Sequence, residues 1–241
     1  VDISPMALSK TEVRNDEFSI FLNYGLSTRS LKVINYEVVD SQGVVLAQLR
    51  RAPISPRSDL IFNGYAIFPA PGKEAHPVVE VSWYGAVAYC DWLTQLSPLN
   101  EQYRLPTEAE WELFARDLGL WGYWKYHWAF TNNIDGSYAN YGGLVGGTMP
   151  VGSYLPNGVD GFNMMKDMNG NVREWVSDWY DANYYQVSDI VDPQGPSSGV
   201  FKVVRGGSWD RTEINVRSAA RAANNPINTN YDTGFRVAVT F

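Results

Sequence analysis

Cys90, His76 and His127 are the only thiol and imidazole side chains in this chain of 241 residues. One cysteine can form neither a disulfide within the chain nor a cysteine-based metal cluster. Two histidines leave little choice of general base for a Ser-His-Asp arrangement. His76 precedes Pro77 beside an expected strand, which suits a structural role. Cys90 follows Trp83 and Val87 at helical spacing, so it reads as a small core residue rather than a reactive thiol. The chemistry these residues offer is recognition. Arg205-Gly206-Gly207-Ser208-Trp209, Arg217-Ser218-Ala219-Ala220-Arg221, Pro226 and Gly234-Phe235-Arg236-Val237 form a spaced frame. The filler between Asp210 and Thr233 has five Asn, four Ala and no Lys, Gln, Met or Trp. Short polar and apolar side chains on a rigid frame make a paratope-like surface, because little freedom is lost when they bind.

The elements that must position this segment are few. Met6-Ala7-Leu8 reads as a short strand, followed by an amphipathic helix to Tyr24 with Phe18, Phe21 and Leu22 on one face. Residues 32–39 and 44–46 read as a hairpin around the turn-type cluster Asp40-Ser41-Gln42-Gly43. Ser82 can cap a helix running to about Leu96. Thr107-Glu108-Ala109-Glu110 is a capping box that starts a helix to about Arg116, with Trp111 and Phe114 inward. Arg104, Glu110 and Trp111 mix charge with aromatics, as a scaffold of paired polar groups does. From Gly119 helical periodicity ends, and short strands are expected at 201–204 and 235–239. Trp121, Tyr123, Trp124, Tyr126 and Trp128 read first as the core of a loop-rich domain and second as a widening of the recognition surface. There is no internal repeat and no hinge-like linker, so residues 1–241 are expected to form one α+β domain.

Composition narrows the partners. The 21 Gly and 13 Pro predict many loops, and the 9 Trp, 15 Tyr and 10 Phe predict an aromatic core. A net charge of −7 with no basic tract argues against nucleic acid, since phosphate binding needs clustered Lys and Arg. No apolar run approaches membrane-spanning length. The chain begins at Val1 without an initiator Met, which is compatible with an export signal or lipid anchor on a removed N-terminal segment.

The motifs fall in a recognisable order. His76 to Trp83, Ala86 to Trp92, Arg104-Leu105-Pro106-Thr107-Glu108-Ala109-Glu110-Trp111-Glu112, Asp167 to Trp175, Arg205 to Trp209 and Gly234-Phe235-Arg236 follow Thr11-Glu12-Val13-Arg14-Asn15. This series resembles the formylglycine-generating-enzyme (sulfatase-modifying factor) domain over almost the whole chain. The resemblance implies a C-type lectin-like fold of that type. Arg14 departs from the pattern, standing where the family usually has a threonine helix cap. In the oxidising enzymes, two cysteines just after the Gly-Gly-Ser-Tyr/Trp motif bind copper and activate oxygen. Here residues 210–216 contain no cysteine, so no copper and no formylglycine chemistry are expected. A second branch uses iron held by a His-rich accessory domain, for which two histidines are too few. The resemblance also implies a structural Ca²⁺ held by Asp167, Gly170, Val172 and Glu174. A second family site, starting at Asn140 and Tyr141, lacks its acidic partner here.

Within this family the ending is similar to that of the variable proteins of diversity-generating retroelements, whose last segment is rewritten at template adenines. Asp210, Arg211, Thr212, Ile214, Asn215, Ala220, Ala222, Ala223, Asn224, Asn225, Asn228, Asn230, Tyr231 and Asp232 are all reachable from Asn codons by that route. Glu213 is not. The resemblance therefore implies a non-catalytic, monomeric protein at the cell surface or outside the cell. These residues, within a segment at about 205–237, would contact a protein or other macromolecule. The alternative is a cysteine-free paralogue of the modifying enzymes, either a structural lipoprotein or an enzyme of unrelated chemistry.

Overall fold

The computed structural model describes residues 1–50, 57–116, 125–126, 133–154 and 165–240. After a two-residue strand β1 (Ala7–Leu8), the first helix, α1 (Asn15–Ser27), starts at Arg14. Arg14 has no hydroxyl to offer, but Glu17 accepts its backbone N–H at 2.9 Å, half of a capping box. Phe18, Phe21 and Leu22 are buried, as their spacing requires.

The expected first hairpin strand is in fact two. β2 (Leu31–Ile34) and β3 (Glu37–Asp40) pair antiparallel, and Asn35 and Tyr36 turn between them at φ 51° and 67°. Two consecutive positive φ values match the twist of a tight hairpin, and Asn tolerates that region. The second turn lies where expected. Asp40 Oδ1 accepts the Gln42 and Val44 N–H groups at 2.8 and 2.9 Å, and β4 (Val45–Gln48) follows. A small hairpin, β5 (Leu60–Phe62) with β6 (Ile67–Pro69), packs beside α1.

Helix α2 (Trp83–Leu96) is capped by Ser82, whose Oγ accepts the Gly85 N–H at 3.1 Å. Gly85 fits because its helix lies against β4; a Cβ there would sit 2.1 Å from the Leu46 carbonyl oxygen. After β7 (Gln102–Arg104), Thr107 and Glu110 close the expected capping box of α3 (Glu108–Ala115) at 3.2 and 2.7 Å. Glu110 also takes the Arg104 guanidinium through two hydrogen bonds of 2.7 Å.

The sheet beneath the C-terminal segment has the order β10-β9-β8-β11, from β8 (Arg173–Trp179), β9 (Lys202–Arg205), β10 (Arg221–Asn224) and β11 (Thr233–Phe235). β11 runs parallel to β8, and the other pairs are antiparallel. The expected strand over 235–239 is divided. β11 ends at Phe235, and β12 (Ala238–Thr240) joins a separate sheet of order β1-β12-β7. Phe235 is fully buried against Phe18 and Tyr89, with ring centroids 5.9 and 5.5 Å away.

Between the two sheets lies a buried ion pair. Arg236 donates from Nε and Nη2 to Glu174 at 2.6 and 2.7 Å, and both side chains are fully buried. Trp111 Nε1 adds a third bond to Glu174 at 2.7 Å. The same guanidinium reaches the carbonyls of Ser9, Lys10 and Lys166. Arg236→Met should therefore cost about 3–5 kcal/mol, since it strands a carboxylate in the interior. The midpoint of urea unfolding measures this.

Candidate ligand-binding surface

The frame of the C-terminal segment is built inward. Arg205 is buried; its guanidinium lies 5.0 Å over the Trp111 ring, bonds Glu112, and donates to the carbonyls of Ser218 and Ala220. Gly207 has φ +69° and no room for a side chain, because a Cβ would lie 2.5 Å from Val216 Cγ1. Trp209 is nearly buried, its N–H held by the Asn171 carbonyl at 2.9 Å and its carbonyl by the Gly143 N–H at 2.6 Å. Arg221 grips Glu108 through two bonds of 2.8 and 2.7 Å and stacks on Tyr180 and Tyr185. The Pro226 carbonyl accepts the Trp83 N–H at 3.0 Å. Gly234 passes so close to Val78 that a Cβ would lie 2.4 Å from its carbonyl oxygen. Arg217 is the looser member, half-exposed and bonded to the Ile214 carbonyl at 2.8 Å.

The filler faces outward, with two exceptions. Asp210, Arg211, Thr212, Ile214, Asn215, Ala222, Ala223 and Asn228 are exposed; Ala220, Asn225, Asn230 and Tyr231 are half-exposed. Glu213 and Ile227 are exposed among them, although neither belongs to the expected set. The loop at 210–216 closes in a 3-10 turn, Glu213–Asn215, and is held by its carbonyls. The Gly142 N–H bonds the Arg211 carbonyl at 2.8 Å, and Asn169 Nδ2 bonds that of Val216 at 2.6 Å. The Tyr126 hydroxyl bonds that of Glu213 at 3.4 Å. Tyr126 is buried beneath the loop; Trp121, Tyr123, Trp124, Trp128 and His127 lie outside the described residues.

Asn224 and Asp232 are the exceptions, and both belong with the frame. Asn224 is buried; its Nδ2 donates to Asn230 Oδ1 at 2.8 Å and its Oδ1 accepts from Asn228 at 3.1 Å, bracing the loop between them. Asp232 is 1% exposed and accepts from Arg173, from Arg211 at 3.2 Å and from the Ser208 hydroxyl at 3.1 Å. Burial works to raise this carboxyl, but Arg173, then Arg211 and Ser208, hold it below the usual carboxylate range. It is a junction of ion pairs, with no face left for a ligand.

Among the described residues the surface carries no acid–base constellation. Glu213 and Arg211 are both exposed, and Arg211 is spent on Asp232. Cys90 is buried in α2, where burial pushes its thiol up, away from the reactive thiolate. His76 is buried, with Nδ1 2.8 Å from Thr148 Oγ1.

The expected cation site is only partly suited to Ca²⁺. Glu174 already has a positive partner in Arg236 and both its oxygens take donors, so it leaves the set. Among the described residues no group of three or more His, Cys, Asp or Glu side chains is arranged to hold a metal. Asp167 does fit. It is half-buried, takes the Gly152 N–H, and has the carboxyl of Glu12 beside it. Glu12 Oε1 accepts from Asn171 at 3.1 Å, while Oε2 is buried with no donor among the described residues. Burial, then the charges of Asp167 and Glu174, hold the Glu12 carboxyl well above its ordinary value. Asp167 is raised too, again by burial first. Two carboxyl groups this close need a proton or a cation between them.

With raised folded-state pKa values, the stability these groups contribute is fully present below the unfolded value near 4 and is lost as pH rises through the folded one. Glu12→Gln keeps the Oε1 acceptor for Asn171 and removes the charge. With a chelator present, it should raise Tm at pH 7, and the gain should shrink to nothing towards pH 4.

Comparison with known proteins agrees with this architecture. The model of the sulfatase-modifying factor enzyme 1-like domain family matches residues 1–241. The serine/threonine-protein kinase pkn1 of Chlamydia pneumoniae is 40% identical over 170 residues, covering 70% of this chain and 25% of the kinase. The formylglycine-generating enzyme of Streptomyces coelicolor is 39% identical over 203 residues, covering 78% of this chain and 57% of the enzyme. The chain thus spans a quarter to just over half of these curated relatives. The solved structure of Treponema denticola variable protein 1 superposes with a TM-score of 0.67 at 24% identity, covering 99% of this chain and 85% of that one, and shares the fold. Matched from its first residue to its last, the chain belongs to the sulfatase-modifying factor enzyme 1-like domain family and adopts its α+β, C-type lectin-like fold.

Proposed function

We propose that this domain is a non-catalytic binding module, displayed at the cell surface or outside the cell, whose C-terminal segment is diversified by a retroelement to bind varied protein ligands. One observation carries the reading: within a single segment, frame residues are buried and paired while most of the residues between them point to solvent. A surface meant for catalysis would need fixed, polarised groups at its centre. This one offers short side chains, Thr212, Ile214, Asn215, Ala222 and Ala223, on a backbone fixed from below. The cysteines that copper chemistry requires are absent from residues 210–216. Among the described residues no helix is long and apolar enough to cross a membrane, so display would need an anchor other than one of these helices.

The test replaces the surface and asks what is lost. The fivefold variant Thr212→Ala, Ile214→Ser, Asn215→Ser, Ala222→Ser, Ala223→Ser should melt within about 4 °C of the parent, since each site is solvent-facing. A library randomised at the same positions should yield binders to unrelated proteins. Collapse of the fivefold variant would sink the surface reading. Diversification itself predicts a second genomic copy of the segment encoding Trp209 to Phe235, differing only at adenines, near a reverse transcriptase gene.

A structural Ca²⁺ is the second part of the proposal. Asp167 and Glu12, with the carbonyls of Gly170 and Val172, would hold it; when bound, it would supply the positive charge these two acids lack. Chelator should then lower the Tm of the parent and leave that of Glu12→Gln unchanged. A parent Tm indifferent to chelator removes the ion.

A further inference from the structure

Beside Trp209 and Tyr231 opens a cavity of about 240 Å³, walled by Arg50, Arg57, Asp59, Lys73 and Thr148. Its charge is unbalanced. Asp59, nearly buried, meets Arg50 at 3.2 Å and Lys73 at 3.7 Å. Arg57 adds a third positive charge. It lies 4.0 Å over the Tyr231 ring and forms no ion pair among the described residues. Three cations against one acid leave a formal charge of +2, on a protein whose net charge is −7.

Neutral donors point the same way. The loop Gly146–Thr148 lines the cavity, and the N–H groups of Gly147 and Thr148 bond no acceptor among the described residues. Gly146 has φ +81°, and turns of this type aim successive N–H groups at one point, where anions collect. Burial, then the Lys73 charge, lowers the pKa of His76 behind Thr148. Of the lining residues, Tyr231 alone belongs to the filler, so every charged group of the cavity stays in place whatever the filler spells.

We propose that this cavity is a fixed subsite for a dianionic oxyanion of the phosphate-ester class. Two uncompensated positive charges match a dianion, whereas a carboxylate would neutralise half of them. Arginine forks and the unbonded N–H groups of Gly147 and Thr148 suit the several oxygens of such a group. The subsite rests on its own charge and geometry. Its use as a constant anchor, shared by ligands that differ where they meet the variable surface, rests on the functional reading given above.

Calorimetric titration of the intact chain with inorganic phosphate, and separately with acetate, tests the assignment at pH 7.5 and low salt. Phosphate should bind about tenfold more tightly than acetate, and Arg57→Ala should weaken phosphate by about tenfold. The Tm of Arg57→Ala should stay within about 1 °C of the parent, because its side chain is exposed and stacks only on the surface. The fivefold surface variant should bind phosphate as the parent does. The proposal is overturned if phosphate does not bind, if acetate binds equally well, or if Arg57→Ala binds phosphate unchanged. Failure of the surface reading would show elsewhere, as collapse of the fivefold variant.

Discussion

The rest of the molecule is arranged around one buried charge pair, Glu174 with Arg236. Neither side chain reaches water, and each would be intolerable there alone. Their bonds tie together β8, the Trp111 face of α3, the segment after β11 and the carbonyls of Ser9, Lys10 and Lys166. A hydrophobic contact could fill that volume equally well, but it would tolerate sliding. A bidentate pair with a third donor does not. It fixes where the chain leaves β11 and hence where the segment before it must run. The Arg205 and Arg221 pairs with α3 act in the same way one layer out, through Glu112 and Glu108. The C-terminal surface thus stands on a ladder of arginine–carboxylate contacts.

Local rules were legible in the chain where local rules decide. Ser82 and the Thr107–Glu110 box start their helices, and Phe18, Phe21, Leu22 and Cys90 go inward as their spacing says. Strand β8 was not legible, because Arg173, Glu174 and Asp178 make it look too polar for the middle of a sheet. Each of them is answered by a residue distant in sequence: Asp232 for Arg173, Arg236 for Glu174, and the Glu108 N–H for Asp178. The Asn35–Tyr36 turn hides in a run with β-sheet composition, since its signal is backbone φ rather than glycine.

The surface was half legible for the same reason. Composition separates frame from filler by residue type, and type is a good guide for Trp209, Pro226 and Phe235. It fails for Asn224 and Asp232, which have the composition of filler and the duties of frame. Their burial depends on Arg173, Ser208, Asn228 and Asn230, and no pattern within the segment announces those contacts. The two acids Glu12 and Asp167, 155 positions apart, meet only in the fold, as do the cations around Trp209.

Five of the bonds that support the 210–220 loop grip main chain. Arg205 takes the carbonyls of Ser218 and Ala220, Asn169 that of Val216, Tyr126 that of Glu213, and Gly142 that of Arg211. Every amino acid has that carbonyl, proline included. At these five points the scaffold does not read the side chain it carries. Where the hold is on a carbonyl, the side chain above it can change without recasting the type that carries it.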